Sequence, residues 1–135
     1  MSPQDPTLLP VHQLSQQLQA RKLSPVELTE AFLARIASHD PRLRAYVEVY
    51  GEEARLAARG AEAALRAGHA VGPLHGIPVA PKDLVEIEGK VATGGSEAWK
   101  ARQATRTATL AKKLMAQGMI VLGKAHTVEI AMGGW

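Results

Sequence analysis

The 135-residue sequence contains no cysteine. Within it there is therefore no thiol nucleophile, no disulfide framework and no thiolate metal site. Aromatic residues are few, with one phenylalanine, two tyrosines and two tryptophans, so a core has to be packed from Leu, Val, Ile, Ala and Met. No apolar run approaches the length of a membrane span. The longest strongly apolar stretch near the end, residues 119–122, is far too short. The first residues also lack the basic n-region and apolar h-region of a secretory signal. These absences lead to the expectation of a cytoplasmic protein with no membrane partner. An excess of one charge is missing too: 16 Lys and Arg against 13 Asp and Glu leave a formal +3, scattered along the chain. Charge of that size and spread is a solvation feature, and nucleic acid is not expected as a partner. What is present is ordinary for one globular domain, with 46% apolar and 21% charged residues and enough length to bury a modest core.

Along the chain, the stretch through Pro6 is a loose polar start. Val11, Leu14 and Leu18 then recur at helical spacing, with Pro10 suited to a first helical turn. Ser24-Pro25-Val26-Glu27 is a capping box with proline at the first helical position, and Leu28, Phe32 and Ile36 follow four apart on one face. Asp40-Pro41 is expected to end that helix. Residues 46–50 are β-branched and aromatic. Residues 52–67, rich in Ala, Leu, Glu and Arg, predict a long helix with Gly68 as its C-cap. From Gly72 the character changes: Gly72, Pro73, Gly76 and Pro78 break the helical pattern, and residues 77–80 predict a short strand running into Lys82-Asp83. A turn at Thr93-Gly94-Gly95-Ser96, a helix opened by Thr107 or Thr109 and closed by Gly118, and a second strand over 119–122 complete the pattern. The expectation is an α/β fold in which residues 1–71 are mainly helical and 72–135 begin the α/β core. Two buried strands make a poor sheet alone and their edges need partners. The sequence is therefore expected to be a cut or split part of one domain, completed by the rest of that domain, by a complementary chain or by homo-oligomerisation.

The most informative run is Pro73-Leu74-His75-Gly76-Ile77-Pro78-Val79-Ala80-Pro81-Lys82-Asp83-Leu84. It brings a lysine to the end of a buried strand, among Val79, Ala80, Pro81 and Leu84. Desolvation disfavours an ammonium ion, and a lysine so held becomes a general base. An adjacent carboxylate opposes this, but alternation along an extended chain sends Lys82 and Asp83 to opposite faces. Spacing alone favours the plainer reading, two solvated residues at a strand end.

A resemblance reverses that preference. The segment from Ser24-Pro25-Val26-Glu27-Leu28 through Asp40-Pro41-Arg42-Leu43 resembles the N-terminal helices of amidase-signature hydrolases. Gly72-Pro73-Leu74-His75-Gly76-Ile77-Pro78-Val79 with Lys82-Asp83 is similar to the family's lysine motif. Residues 105–114 and Gly118-Met119-Ile120-Val121-Leu122-Gly123-Lys124 are similar to the helix and strand that follow it. His126-Thr127-Val128-Glu129-Ile130-Ala131-Met132-Gly133-Gly134-Trp135 resembles the stretch before its serine-rich signature. The matches run in order and cover about residues 7 to 135. The resemblance implies N-terminal helices followed by the start of a mixed β-sheet sandwiched by helices. It also implies a Ser–cis-Ser–Lys triad in which a serine attacks an amide carbonyl and a second serine relays its proton to the lysine. Backbone N–H groups of a Gly/Ser-rich loop would hold the oxyanion. Carried over to this sequence, Lys82 is the catalytic base, and the two serines belong to a motif these residues do not contain. Activity is therefore expected of the complete protein and not of these residues alone. Pro81 departs from the branched apolar residue often found before the lysine, and removes one backbone donor.

Other residues carry weaker signals. Gly94-Gly95-Ser96 stands at the wrong place in the family order for a nucleophile loop, and a turn with a local hydroxyl hydrogen bond is the better reading. Met132, Gly133 and Gly134 are candidate substrate-binding residues, since the family's chain returns past the substrate pocket there; a core methionine before a flexible turn weighs equally. His12, His39, His69, His75 and His126 form no metal pattern, though His75 is placed to orient the motif loop. Lys124 reads as a basic residue at an element end, and Glu129 as a local cap or ion-pair partner. No cofactor is expected. The function expected is hydrolysis of a carboxamide C–N bond in a small-molecule amide. The alternatives are an amidotransferase A-type subunit, which acts on mischarged tRNA, or a non-catalytic truncated or split-gene subunit.

Overall fold

The computed structural model describes residues 5–133. A 3-10 turn at Pro6–Leu8 leads into α1, Val11–Gln19, whose buried residues Leu14 and Leu18 are two of the three spaced positions in the sequence pattern. Helix α2, Pro25–Leu43, begins at the complete capping box: Ser24 accepts from the Glu27 N–H, and the Glu27 carboxylate accepts from the Ser24 N–H. Two donors otherwise lost at a helix start are satisfied reciprocally. Its buried stripe is broader than Leu28, Phe32 and Ile36. Pro25, Leu28, Thr29 and Leu33 are buried, while Phe32 and Ile36 are half-buried against the core.

Helix α2 does not stop at Asp40-Pro41 but runs through Pro41 to Leu43. A proline in the last turn forfeits only its own N–H bond, here to the exposed Ala37 carbonyl, which water can satisfy. The actual stop is Arg44, left-handed at φ 49, whose N–H donates to the Asp40 carbonyl at 2.7 Å. Asp40 Oδ1 accepts from the N–H groups of Ala45 and Tyr46, at 2.7 and 3.2 Å, and turns the chain into the first strand.

Strand β1 is Tyr46–Val49 and α3 is Gly51–Arg66, closing at Gly68 with φ +78 as the composition predicts. Ala54, Ala58 and Ala61 recur on one face of α3, and small side chains there let Leu33, Ile120 and Leu122 pack closely against it. A second cluster, Leu14, Leu18, Leu28 and Ile77, joins α1 to the sheet, and Phe32 packs on both clusters. Truncating a residue as enclosed as Leu28 typically costs about 2–5 kcal/mol.

The remaining elements are β2 (Pro78–Val79), α4 (Thr109–Ala116), β3 (Ile120–Val121) and β4 (Gly123–Ala125), with 3-10 turns at Glu97–Trp99 and Glu129–Ala131. Strands β2 and β3 are parallel, and β1 and β4 are antiparallel. Because β3 and β4 are successive pieces of one extended segment, residues 120–125 run between β1 on one side and residues 78–82 on the other. The result is the start of a mixed sheet, with α2 and α3 packed on it. No described helix is long and apolar enough to cross a membrane.

Candidate functional site

Lys82 stands three residues beyond β2, where the chain still pairs with β4. The Ala125 N–H donates to the Pro81 carbonyl and the Asp83 N–H donates to the Ala125 carbonyl, both at 2.9 Å. The Val85 N–H closes onto the Lys82 carbonyl at 2.9 Å. The backbone on both sides of the lysine is thus fixed, and extended geometry sends neighbouring side chains to opposite faces. The opposite-face expectation holds: Asp83 is fully buried and Lys82 is exposed. The dry surroundings expected for Lys82 are not formed by the described residues. Pro81 is buried, but Ala80 is half-buried and Leu84 is 39% exposed, so the amine faces solvent.

Beneath the lysine lies a charged network that sequence reasoning missed. Asp83 Oδ1 accepts from Lys124 Nζ at 3.1 Å, and the two side chains are 0% and 1% exposed. Asp83 Oδ2 accepts from the Thr93 N–H at 3.1 Å and from the Thr93 hydroxyl. Lys124 Nζ also donates to the Val91 carbonyl at 3.3 Å, and the Gly94 N–H donates to the Asp83 carbonyl at 3.0 Å. Two charges out of water are tolerated only when paired and further hydrogen-bonded, as both are here. Lys124 is therefore not a basic residue at an element end; it lies inside β4 and is among the most buried side chains of the described residues. The signal available was its setting. Lys124 sits directly between the small residues Gly123 and Ala125, after the apolar run 119–122, in a short strand.

The turn over 93–96 forms as expected, the Ser96 N–H donating to the Thr93 carbonyl at 3.0 Å. Its local hydroxyl bond comes from Thr93, which accepts from the Gly95 N–H at 3.0 Å. Ser96 instead donates to Glu129 Oε1 at 2.6 Å, so Glu129 ties the turn to the 3-10 segment after β4. The Ile130 N–H adds a bond to the Gly94 carbonyl at 2.7 Å. Ile130 and Ala131 both have positive φ, at 52° and 56°, conformations that cost roughly 1–3 kcal/mol each for residues with a Cβ.

His75 is buried, and its Nε2 lies 3.0 Å from the Ala61 carbonyl. A carbonyl only accepts, so Nε2 donates to it, while Nδ1 lies against Gly118 with no hydrogen-bond partner among the described residues. The ring ties the motif loop to α3, while the Gly76 N–H donates to the Gly118 carbonyl at 2.8 Å and Ser15 Oγ to the Pro73 carbonyl at 2.6 Å. His75 is thus an anchor of the loop. Met132 is 79% exposed and Gly133, also exposed, has φ +98; Gly134 lies outside the described residues. Tyr50, buried at the end of β1, has its phenol pushed upward in pKa by burial and by the carboxylates of Glu48, Asp83 and Glu53. A cleft of about 540 Å³ at the junction of α1, α2 and α3 is lined by none of the candidate residues. Among the described residues no group of three or more His, Asp or Glu is placed to hold a metal.

The arrangement thus presents one amine on a rigid strand end, without a carboxylate partner among the described residues, over a neutralised buried ion pair. A family model described as Amidase matches residues 27–134. The A-type subunit of a glutamyl-tRNA(Gln) amidotransferase from Halorhodospira halophila is 42% identical over 123 residues, which are 91% of this chain and 25% of that protein. An amidase from Pseudomonas putida is 40% identical over 127 residues, 94% of this chain and 27% of that protein. Among solved structures, a peptide amidase from Stenotrophomonas maltophilia superposes with a TM-score of 0.83 at 34% identity, over 90% of this chain and 25% of that one. The chain therefore spans about a quarter of the length of the relatives it matches.

Proposed function

The chain belongs to the amidase family, and from that premise we propose that it supplies the general base of an amidase hydrolysing the C–N bond of a small carboxamide, with Lys82 in that role. The observation that carries this reading is the isolation of the Lys82 amine. Among the described residues no carboxylate pairs with it, while the one carboxylate next to it in sequence is held on the far face by Lys124 and Thr93. A base must be able to lose its proton, and a paired ammonium is a poor one.

In this proposal the serine nucleophile and the relay serine come from chain beyond these residues, as does the Gly/Ser-rich loop whose N–H groups hold the oxyanion. The nucleophilic hydroxyl attacks the carbonyl carbon and its proton passes through the second serine to the neutral Lys82 amine. The proton then goes to the departing nitrogen, and ammonia or an amine leaves. Water hydrolyses the acyl-enzyme by the same route in reverse. The same added chain would cover Leu84 and exclude water from the amine, supplying the desolvation on which the base depends. Met132, Gly133 and Gly134 are proposed to border the substrate.

A second reading rests on the 42% identity to the glutamyl-tRNA(Gln) amidotransferase protein. In that case the released ammonia is the acyl acceptor. It displaces the leaving group from the glutamyl carboxyl on mischarged tRNA once that carboxyl has been activated as a mixed anhydride by a nucleoside triphosphate. The 40% identity to an amidase is too close to separate the two. The test is ammonia release by a chain that includes the serine-bearing remainder, assayed on small carboxamides alone and on glutamine with mischarged glutamyl-tRNA. Small-amide hydrolysis abolished by Lys82→Ala supports the first reading. Ammonia formed only with the tRNA supports the second, and wild-type turnover in Lys82→Ala would sink the role of Lys82 in both.

A further inference from the structure

We infer that Lys124 is a positioning residue for Lys82: by neutralising Asp83 inside the protein, it keeps a buried carboxylate from acting on the amine of the residue beside it. The inference rests on the reading of Lys82 as a base and names what makes that base available.

The observations are geometric. Asp83 is adjacent to Lys82 in sequence and shares its rigid backbone, whose Pro81 carbonyl and Asp83 N–H are both bonded to Ala125. Both oxygens of the Asp83 carboxylate are occupied, Oδ1 by Lys124 and Oδ2 by the Thr93 N–H and hydroxyl. Thr93 supplies hydrogen bonds but no charge, so Lys124 is the counter-ion. Other titratable groups near β4 face outward: Glu48, opposite Lys124 in the ladder, and His126, just beyond the strand, are both exposed. They are screened by solvent, whereas a charge enclosed as Asp83 is would be felt through protein.

Without Lys124, the nearest cation along the chain to Asp83 is Lys82 itself. The unpaired carboxylate would favour the ammonium form of Lys82 and draw its side chain from the outer face. The cost to a pure stability role is the same, so stability alone does not discriminate. The reactivity of the Lys82 amine does, because only the neutral amine attacks an acyl donor. One uncompensated charge roughly a residue away, partly screened, is expected to slow the reaction of the amine by about three- to tenfold.

The experiment measures acetylation of individual lysines in the 135-residue chain by an N-hydroxysuccinimide ester of acetate at pH 9, read by peptide mass spectrometry. The exposed Lys112 and Lys113 serve as internal standards. The expected result is that Lys124→Met slows acetylation of Lys82 about three- to tenfold relative to the standards. The double variant Asp83→Asn/Lys124→Met, with no buried charge, is expected to return it to the wild-type rate. Should Lys124→Met not fold, Lys124→Gln keeps a donor for Asp83 while removing the charge, and the same slowing is expected. An unchanged Lys82 rate in a folded single variant would overturn the inference. So would loss of folding in both single variants, which would make the pair a requirement of the fold and not of the amine. Amide turnover plays no part in this readout, so a failed inference is distinct from a failure of Lys82 as the base.

Discussion

Three glycines differ in surroundings in a way that separates backbone strain from crowding, and alanine at each gives a graded outcome. Gly60 is exposed within α3, with no atom within 4 Å of an added Cβ. Gly60→Ala is expected to stabilise the protein by about 0.5–1 kcal/mol through helix propensity. Gly68 has φ +78 and equally open space, so Gly68→Ala pays only for the left-handed backbone, about 1–2 kcal/mol. Gly118 has almost the same φ, +77, but an added Cβ there meets His75 Nδ1, with His75 Cγ and Val71 Cγ2 each 3.0 Å away. Gly118→Ala adds overpacking of about 1–3 kcal/mol and displaces the ring from the Ala61 carbonyl, worth about 0.5–1.5 kcal/mol more. The expected total is a loss of about 2.5–6.5 kcal/mol, measured by urea unfolding. A cost for Gly118→Ala within about 0.5 kcal/mol of that for Gly68→Ala would refute the account of His75 as a fixed anchor of the lysine loop, since a ring free to move would absorb the clash.

The buried pair has its own thermodynamic signature. Lys124→Met is expected to destabilise by about 3–5 kcal/mol and Asp83→Asn/Lys124→Met by much less, because an orphaned buried charge costs more than an absent pair; equal costs in denaturant melts would contradict this. Glu86 accepts from Arg102 and Arg106, and these bonds hold its carboxyl below the ordinary value near 4.5. A carboxylate so shifted favours the fold above its unfolded pKa and loses that contribution as pH falls through the folded one. Acid should therefore lower the hydrogen-exchange protection factor (intrinsic rate divided by observed rate) at Ala108, whose N–H donates to the Glu86 carbonyl. Glu86→Gln should flatten that dependence, and an unaltered pH profile in the variant would count against the ion pair.

Much of the fold was legible because local chemistry and tertiary demand agree. The capping box at Ser24, the alanine-rich helix closed at Gly68 and the strands around Val79 and Ile120 all form where their residue patterns point. Asp40-Pro41 misled because a proline matters little in a helix's final turn, and the stop was carried by Arg44, a residue type with no left-handed preference. The site was legible in part. Alternation predicted that Lys82 and Asp83 part company, but nothing local said which residue meets Asp83 inside. That partner is 41 residues away in sequence, and the pairing depends on sheet register, which short apolar strands do not specify. The solvent exposure of Lys82 was equally hidden, because burial of a strand end is decided by what packs over it.

Chemical rescue tests the role of Lys82 most directly. In a chain that carries the serine-bearing remainder of the family fold, Lys82→Ala is expected to lose about a thousandfold or more in carboxamide turnover while remaining folded. Added ethylamine is expected to restore part of the rate, increasingly as pH rises and more of the free amine is neutral. Turnover within about tenfold of wild type in the unrescued variant, or a folded, inactive variant indifferent to added amine at every pH, would contradict the assignment of proton transfer to this side chain.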